Sequence, residues 1–260
     1  MQWAPESGQS FGPEETIRFV EGGYDGLHIV PKPRFRIDSL DFLGSFSGLR
    51  YLNASIPTLD DTAAFRLKEL EELTLTTGSR APIPEVLQKN VTSAAVESGR
   101  FASLASLWPN LTWLRMFGPW PHADLVPLSG LRELRHLELD GGGARRSIEG
   151  IETCVRLEEM RLVRWSLVDS GPLRELSHLR DVRLMAMHPT PEHLRISLLD
   201  VASPVIESLA IGHAPSVHDL EDGLAAMPAV RNLKFRETPF SSAQTAFLGS
   251  LPRSVNVAVR

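Results

Sequence analysis

Three places in this 260-residue sequence have residue types and spacings that could do chemistry. One is the run Asp140, Gly141, Gly142, Gly143, Ala144, Arg145, Arg146, which follows the strand-like stretch LRHLEL (134–139). A glycine loop after a strand lets backbone N–H groups approach a phosphate closely, and arginine adds charge. Another is GQSFG (8–12), which has the G-x-S-x-G spacing of a serine nucleophile elbow around Ser10. The last is the single cysteine, Cys154, a thiol nucleophile if His136 or His178 served as its base.

Each pattern needs a context that its neighbours do not supply. A phosphate-binding Walker loop requires G-x-x-x-x-G-K-[ST], and a dinucleotide loop requires G-x-G-x-x-G opening a helix. DGGGARRS has neither spacing. The elbow needs a strand before its serine and a helix after it, whereas Ser10 lies between MQWAPES-type and PEE segments. Cys154 stands in the series Ile148, Ile151, Cys154, Leu157, the place of a small buried residue. Eight histidines include no H-E-x-x-H pair, and the nearest two, His188 and His193, flank a proline. No metal and no cofactor are therefore expected. A hydrolase using Ser10 or Cys154 is the reading these residues support least.

The elements that would have to position any site come from the whole chain. At 42% hydrophobic residues a sizeable core is expected, and a net charge of −5 gives no electrostatic case for nucleic acid or an anionic membrane. One cysteine excludes an intramolecular disulfide framework and suits a reducing compartment. The first residues lack the basic and apolar regions of a signal peptide, and no apolar run approaches the roughly 20 residues of a membrane span. A cytoplasmic location is expected. The 23 arginines against 4 lysines fit a GC-rich bacterial genome.

Self-similarity dominates the pattern. The spacing Φ-x-x-Φ-x-Φ, with Φ apolar, occurs as LRYLNA (49–54), LEELTL (70–75), VTSAAV (91–96), LTWLRM (111–116) and LRHLEL (134–139). It continues as LEEMRL (157–162), LRDVRL (179–184), IESLAI (206–211), VRNLKF (230–235) and PRSVNV (252–257), in steps of 20 to 27 residues. Upstream of many triplets, apolar residues recur every third position, as in Leu125, Leu128, Leu131 and Leu134. That period suits a 3₁₀ or short helical segment. Thr190-Pro191-Glu192 has the character of a helix start leading into Leu194, Leu198 and Val201, and Ser216 to Met227 offers another amphipathic run.

With ten such units and 37 leucines, the chain resembles the leucine-rich repeat family, especially the short bacterial repeats of internalin type. The resemblance implies an α/β solenoid horseshoe over 40–260, with a parallel concave sheet and short convex helices. One repeat cannot bury its apolar face alone, so stacked neighbours share one core. The family's asparagine or cysteine after the strand is missing. Pro57, Gly78, Gly99, Pro119, Gly142, Trp165, Met187, Ala214 and Thr238 occupy that slot, so irregular turns are expected. Residues 13–39 are expected to be an N-terminal cap built on a β-hairpin of TIRFV and LHIV, and residues 1–12 to be flexible. At the other end SVNVAVR leaves an edge strand, which allows a homodimer through that edge.

In such a solenoid the residues between the leucines line the concave face. One column runs Tyr51, Glu72, Ser93, Trp113, His136, Glu159, Asp181, Ser208, Asn232 and Ser254. The others include Arg115, Glu138, Arg161, Arg183, Lys234 and Asn256, then Phe117, Asp140, Val163 and Met185. Candidate partner-binding residues are Tyr51, Trp113, Arg115, Phe117, His136, Glu138, Asp140, Glu159, Arg161, Arg183 and Met185, with Trp120 and Trp165 extending them along the rim. Aromatic anchors beside arginine and carboxylates have the composition of a protein-binding hot spot. The function expected is a non-enzymatic module binding a partner protein through its concave face. A narrower alternative is an immunity or inhibitor protein that masks a cognate toxin or enzyme.

Overall fold

Strands form where the apolar triplets stand, because each triplet puts its side chains on one face of an extended segment. In the computed structural model, which describes residues 1–4, 11–30, 36–100, 104–167, 171–185 and 195–259, these positions make the core. Leu49, Leu52 and Ala54 are buried in the first triplet, Leu134, Leu137 and Leu139 in the fifth, and Val230, Leu233 and Phe235 in the ninth.

The chain divides into two compact units, Met1–Phe117 and Gly118–Arg260. In the first unit β1 (Gln2–Trp3), β2 (Gly26–Ile29), β3 (Tyr51–Ala54), β4 (Glu72–Leu75), β5 (Ser93–Glu97) and β6 (Trp113–Pro119) pair in chain order, all parallel. In the second, β7 (His136–Asp140), β8 (Glu159–Val163), β9 (Asp181–Met185), β10 (Ser208–Gly212), β11 (Asn232–Arg236) and β12 (Asn256–Val259) do the same. Parallel neighbours need a crossover, and here it is short. The threefold apolar spacing becomes 3₁₀ turns at Asp41–Ser45 and Thr62–Arg66, and at Val126–Leu128, Ile151–Thr153 and Gly171–Glu175. Side chains three apart eclipse in a 3₁₀ turn, so Leu43, Phe65, Leu128, Ile151 and Leu173 all bury against the strand layer. This is the leucine-rich repeat solenoid fold.

The ends depart from expectation. TIRFV is not a strand of a hairpin but part of α1 (Pro13–Glu21). Pro13 suits a helix first turn, Glu14 and Glu15 favour its N-terminus, and Glu15 Oε2 accepts the Gly12 amide at 2.9 Å. Phe19 then buries with its ring centroid 4.6 Å from that of Phe46. LHIV, expected as the second hairpin strand, is β2 and pairs in parallel with β3. The leading residues also hold a strand, because Trp3 is buried edge-on to Phe11 and Phe42 and carries Gln2–Trp3 alongside β2. Two strands thus precede the ten expected.

Other differences lie between strands. Arg195–Ser197, expected to be helical, is a strand paired with Ser216–His218, and helix α2 is confined to Leu198–Val201. Similar parallel pairs join Ile37–Ser39 to Thr58–Asp60 and Arg145–Arg146 to Ser166–Leu167. The Ser216 to Met227 run folds as that strand followed by α3 (Leu220–Ala225). Thr190, Pro191, Glu192 and Leu194 lie outside the described residues, as do Ser10, Met187, His188 and His193. In the last repeat the register is shifted by two, so that Val257, not Val255, pairs with Leu233 and Asn256, not Ser254, pairs with Asn232. The added length is taken up by α4 (Ser242–Ser250), where Ser241 and Gln244 cap each other.

Without an asparagine ladder, the chain leaves several strands through a left-handed residue. Gly118, Arg164, His213 and Glu237 have φ of 78°, 52°, 58° and 48° directly after, or at the end of, their strands. For the three non-glycine residues this costs about 1–2 kcal/mol each. In the first unit buried polar side chains serve the same need. Thr77 Oγ1 donates to Asp61 Oδ2 at 2.6 Å, and Ser79 Oγ donates to the Leu59 carbonyl at 2.9 Å. Gln88 is buried between turns, with Nε2 donating to the Ala64 and Leu67 carbonyls at 3.1 and 2.9 Å and Oε1 accepting from Trp108 at 2.9 Å.

Candidate functional site

The glycine loop is fully engaged with its own chain. The Gly141 amide donates to Val163 at 2.8 Å, the Gly142 amide to Asp140 Oδ1 at 3.0 Å and the Gly143 amide to Arg164 at 2.6 Å. With all three donors used, the loop offers no N–H cradle to a phosphate. Arg146 is half-buried, and its guanidinium donates to the carbonyls of Gly141 and His122, so it is not the solvated turn charge its sequence position suggests. The loop's real work is packing. A Cβ on Gly141 would stand 2.8 Å from the Arg164 carbonyl oxygen and 2.9 Å from Trp165 Cε3. Gly142, at φ +64°, makes the turn.

Trp120 and Trp165, expected on the rim, are 1% and 0% exposed. The turn after each strand folds these indoles inward, where Trp120 Nε1 donates to the Asp124 carbonyl at 2.7 Å and Trp165 Nε1 has no partner among the described residues. Cys154 is buried in the 3₁₀ layer with Sγ 3.8 Å from the Leu128 carbonyl, and burial pushes its thiol up to about 12. At neutral pH it is a protonated core residue rather than a nucleophile. His178 is exposed, with Nδ1 3.0 Å from the Val155 carbonyl oxygen. Among the described residues no group of three His, Cys, Asp or Glu could hold a metal ion, and no helix is long and apolar enough to cross a membrane.

Strand pairing sorts the remaining candidates into two sets, one in each unit. In the first unit Tyr51, Glu72, Ser93 and Trp113 share one row, Asn53, Thr74, Ala95 and Arg115 the next, and Glu97 aligns with Phe117. Leu114 and Met116 are buried, whereas Trp113, Arg115 and Phe117, alternating with them, are half-buried. The Arg115 guanidinium lies over the Phe117 ring, 4.8 Å from its centroid. Tyr51 is placed separately. Its hydroxyl is 3.4 Å from Glu71 Oε2, and Arg50, which grips both Glu71 oxygens at 2.8 Å, lies 5.3 Å over its ring. The hydrogen bonds from Arg50 hold the Glu71 carboxyl below its usual pKa.

The second unit carries a ladder of paired polar side chains. His136 Nδ1 faces Glu159 Oε2 at 3.4 Å, and Arg161 Nη1 faces Glu138 Oε2 at 3.6 Å across the paired strands. Arg183 grips Asp181 on its own strand through two contacts of 2.9 Å. That hydrogen bonding raises the Arg183 pKa against the effect of burial, helped by the charges of Asp181, Glu159 and Glu138. Asp140 is clasped by Arg164 from the next turn. Burial pushes the Asp140 carboxyl up, but hydrogen bonds from Arg164 and the Gly142 amide, with the Arg164 charge, bring it below the usual range. Met185 is half-buried at the end of β9, aligned with Val163.

The pairing also exposes residues that sequence reasoning passed over. Arg164, His213 and Glu237 project from left-handed turns at the strand ends, where Arg164 meets Asp140 and His213 Nδ1 meets Glu237 Oε2 at 2.9 Å. No local signal marks a non-glycine residue for that conformation. Their place after the third outward position was the one clue available.

The sequence matches no protein-family model and no curated protein. In structure it is similar to an internalin, InlF, of Listeria monocytogenes, with 17% identity and a TM-score of 0.60 over 88% of this chain; it spans 65% of the length of that internalin. It is also similar to internalin C2 of the same organism, with 16% identity and a TM-score of 0.51, over 85% of this chain and 83% of that one.

Proposed function

We propose that this chain, an internalin-like leucine-rich repeat protein by its fold, is a non-enzymatic module that binds a partner protein through the outward side chains of its strands. The observation that supports this reading is β6, where Trp113, Arg115 and Phe117 stand half-buried, alternating with the buried Leu114 and Met116. Aromatic residues on a strand's outward face, with an arginine between them, supply the large contact area that anchors protein interfaces. The roles are aromatic anchoring by Trp113 and Phe117 in the first unit. In the second, Glu138, Arg161 and Arg183 set charge complementarity and partner choice. The engaged glycine amides and the protonated, buried Cys154 support the non-enzymatic part of the reading.

The test is affinity capture from native lysate by the wild-type chain and by a Trp113→Ala, Arg161→Glu variant, with mass spectrometry of what is retained. Loss of about tenfold or more of a specific partner is expected, since one hot-spot truncation costs ~2 kcal/mol. Undiminished capture by the folded double variant would sink the proposal.

A further inference from the structure

The outward face of the first unit is not level. Row pairing sets Gly26 beside Tyr51 and Glu72, and His28 beside Asn53 and Thr74. Gly26 brings no side chain to its row, and a hollow of about 330 Å³ opens there, bounded by those six residues. Leu27 and Leu52, which point into the core on the same strands, close its floor. This volume lies at the small end of ligand pockets, roughly 300–1,000 Å³, and suits a single side chain.

The lining is rich in acceptors. Asn53 Oδ1 is buried without a hydrogen-bond partner among the described residues, which is costly unless something supplies a donor. Glu72 is exposed, and no ion pair or hydrogen bond engages its carboxylate among the described residues. Asp25 stands at the mouth, shared with Arg50 at 3.6 Å. Met1 closes one edge of the hollow. Arg50 is drawn away by Glu71, leaving Glu72 uncompensated.

We propose that this hollow receives a lysine or arginine side chain of a partner polypeptide. Its methylenes lie against Tyr51, and its charged end donates to Glu72. Long basic side chains pack their stems on apolar surface while the charged head is paired, as this arrangement requires. The inference rests on the reading of the strands as a protein-binding face, but it concerns a different place on that face from Trp113.

The experiment is a backbone amide NMR titration of the full chain with three blocked amino-acid amides: N-acetyl-lysine, N-acetyl-arginine and N-acetyl-norleucine N-methylamides. Both basic probes are expected to shift the Gly26, Tyr51, Asn53 and Thr74 amides saturably in the millimolar range, and norleucine to leave them unmoved. Glu72→Lys is expected to weaken the basic probes at least about tenfold. Should that variant fold poorly, Glu72→Gln carries the same test. The inference is overturned if norleucine binds as well as lysine, if no probe shifts these amides, or if Glu72→Gln binds like wild type. Undiminished partner capture by the Trp113→Ala, Arg161→Glu variant, with the lysine probe still binding, would defeat the broader reading alone. Partner capture by the wild-type chain that the double variant loses, with no probe binding, would defeat this one alone.

Discussion

At the scale of residues, burial decides what each reactive group can do. The Cys154 thiol normally titrates near 9.0 and is pushed up to about 12 in the fold. Between those values the unfolded chain has lost the proton and the folded chain keeps it. The contribution of Cys154 to stability is therefore full below pH 9 and is lost as pH rises toward 12. Urea denaturation at stepped alkaline pH should show that decline, and Cys154→Ala should flatten it. Iodoacetamide should leave the native thiol unmodified at neutral pH and label it after unfolding. Gly141 is decided by space instead. In Gly141→Ala the new methyl meets the Arg164 carbonyl and Trp165, and a loss of about 1–3 kcal/mol is expected in the same denaturation assay. The glycine run was legible as a turn, but the tryptophan pressed against Gly141 was not. That contact joins residues 24 positions apart through a turn no local pattern describes.

At the scale of elements, strands were more legible than what joins them. A strand repeats every two residues and its triplet is written plainly, so nine triplets fell on the strands they specify. The tenth slipped by two because α4 lengthened the preceding crossover, and alternate valines at 255, 257 and 259 satisfy either register by parity. The cap was misread because TIRFV is β-branched enough to pass for a strand, while Gly12, Pro13 and Glu15 favour a helix start. Joints carry testable energies. Ser241→Ala removes one half of the α4 capping box and should cost about 1 kcal/mol. Gln88→Leu strips partners from two carbonyls and the Trp108 indole, and should cost more, about 2–4 kcal/mol by thermal melting. At the left-handed turn of Glu237, glycine should be tolerated or stabilising, whereas Glu237→Val should lose about 1–2 kcal/mol.

At the scale of the whole molecule, charge and composition set what kind of partner is suited. The chain carries a net −5, and on the second unit's strand face Arg161 and Arg183 are matched by Glu138 and Asp181. No retardation of duplex DNA is expected in a gel-shift assay at physiological salt, and a stable shifted band would contradict the protein-binding reading. Sequence periodicity foretold the outward rows of candidates, since pairing keeps each unit's rows aligned from Tyr51 to Trp113 and from His136 to Asn232. It could not foretell which outward groups already hold each other, because Asp140 with Arg164 or His213 with Glu237 meet across turns whose geometry is not periodic.

That alignment has a practical corollary for engineering. Along each strand, positions that bear the fold's stability alternate with positions that bear its surface chemistry, and the two sets scarcely overlap. The outward triplet of one strand, such as Glu72, Thr74 and Thr76, can thus be randomised while Leu73 and Leu75 are held, and most members of the library should fold. Selected variants would then read out, one strand at a time, how much recognition a surface can change while its interior stays the same.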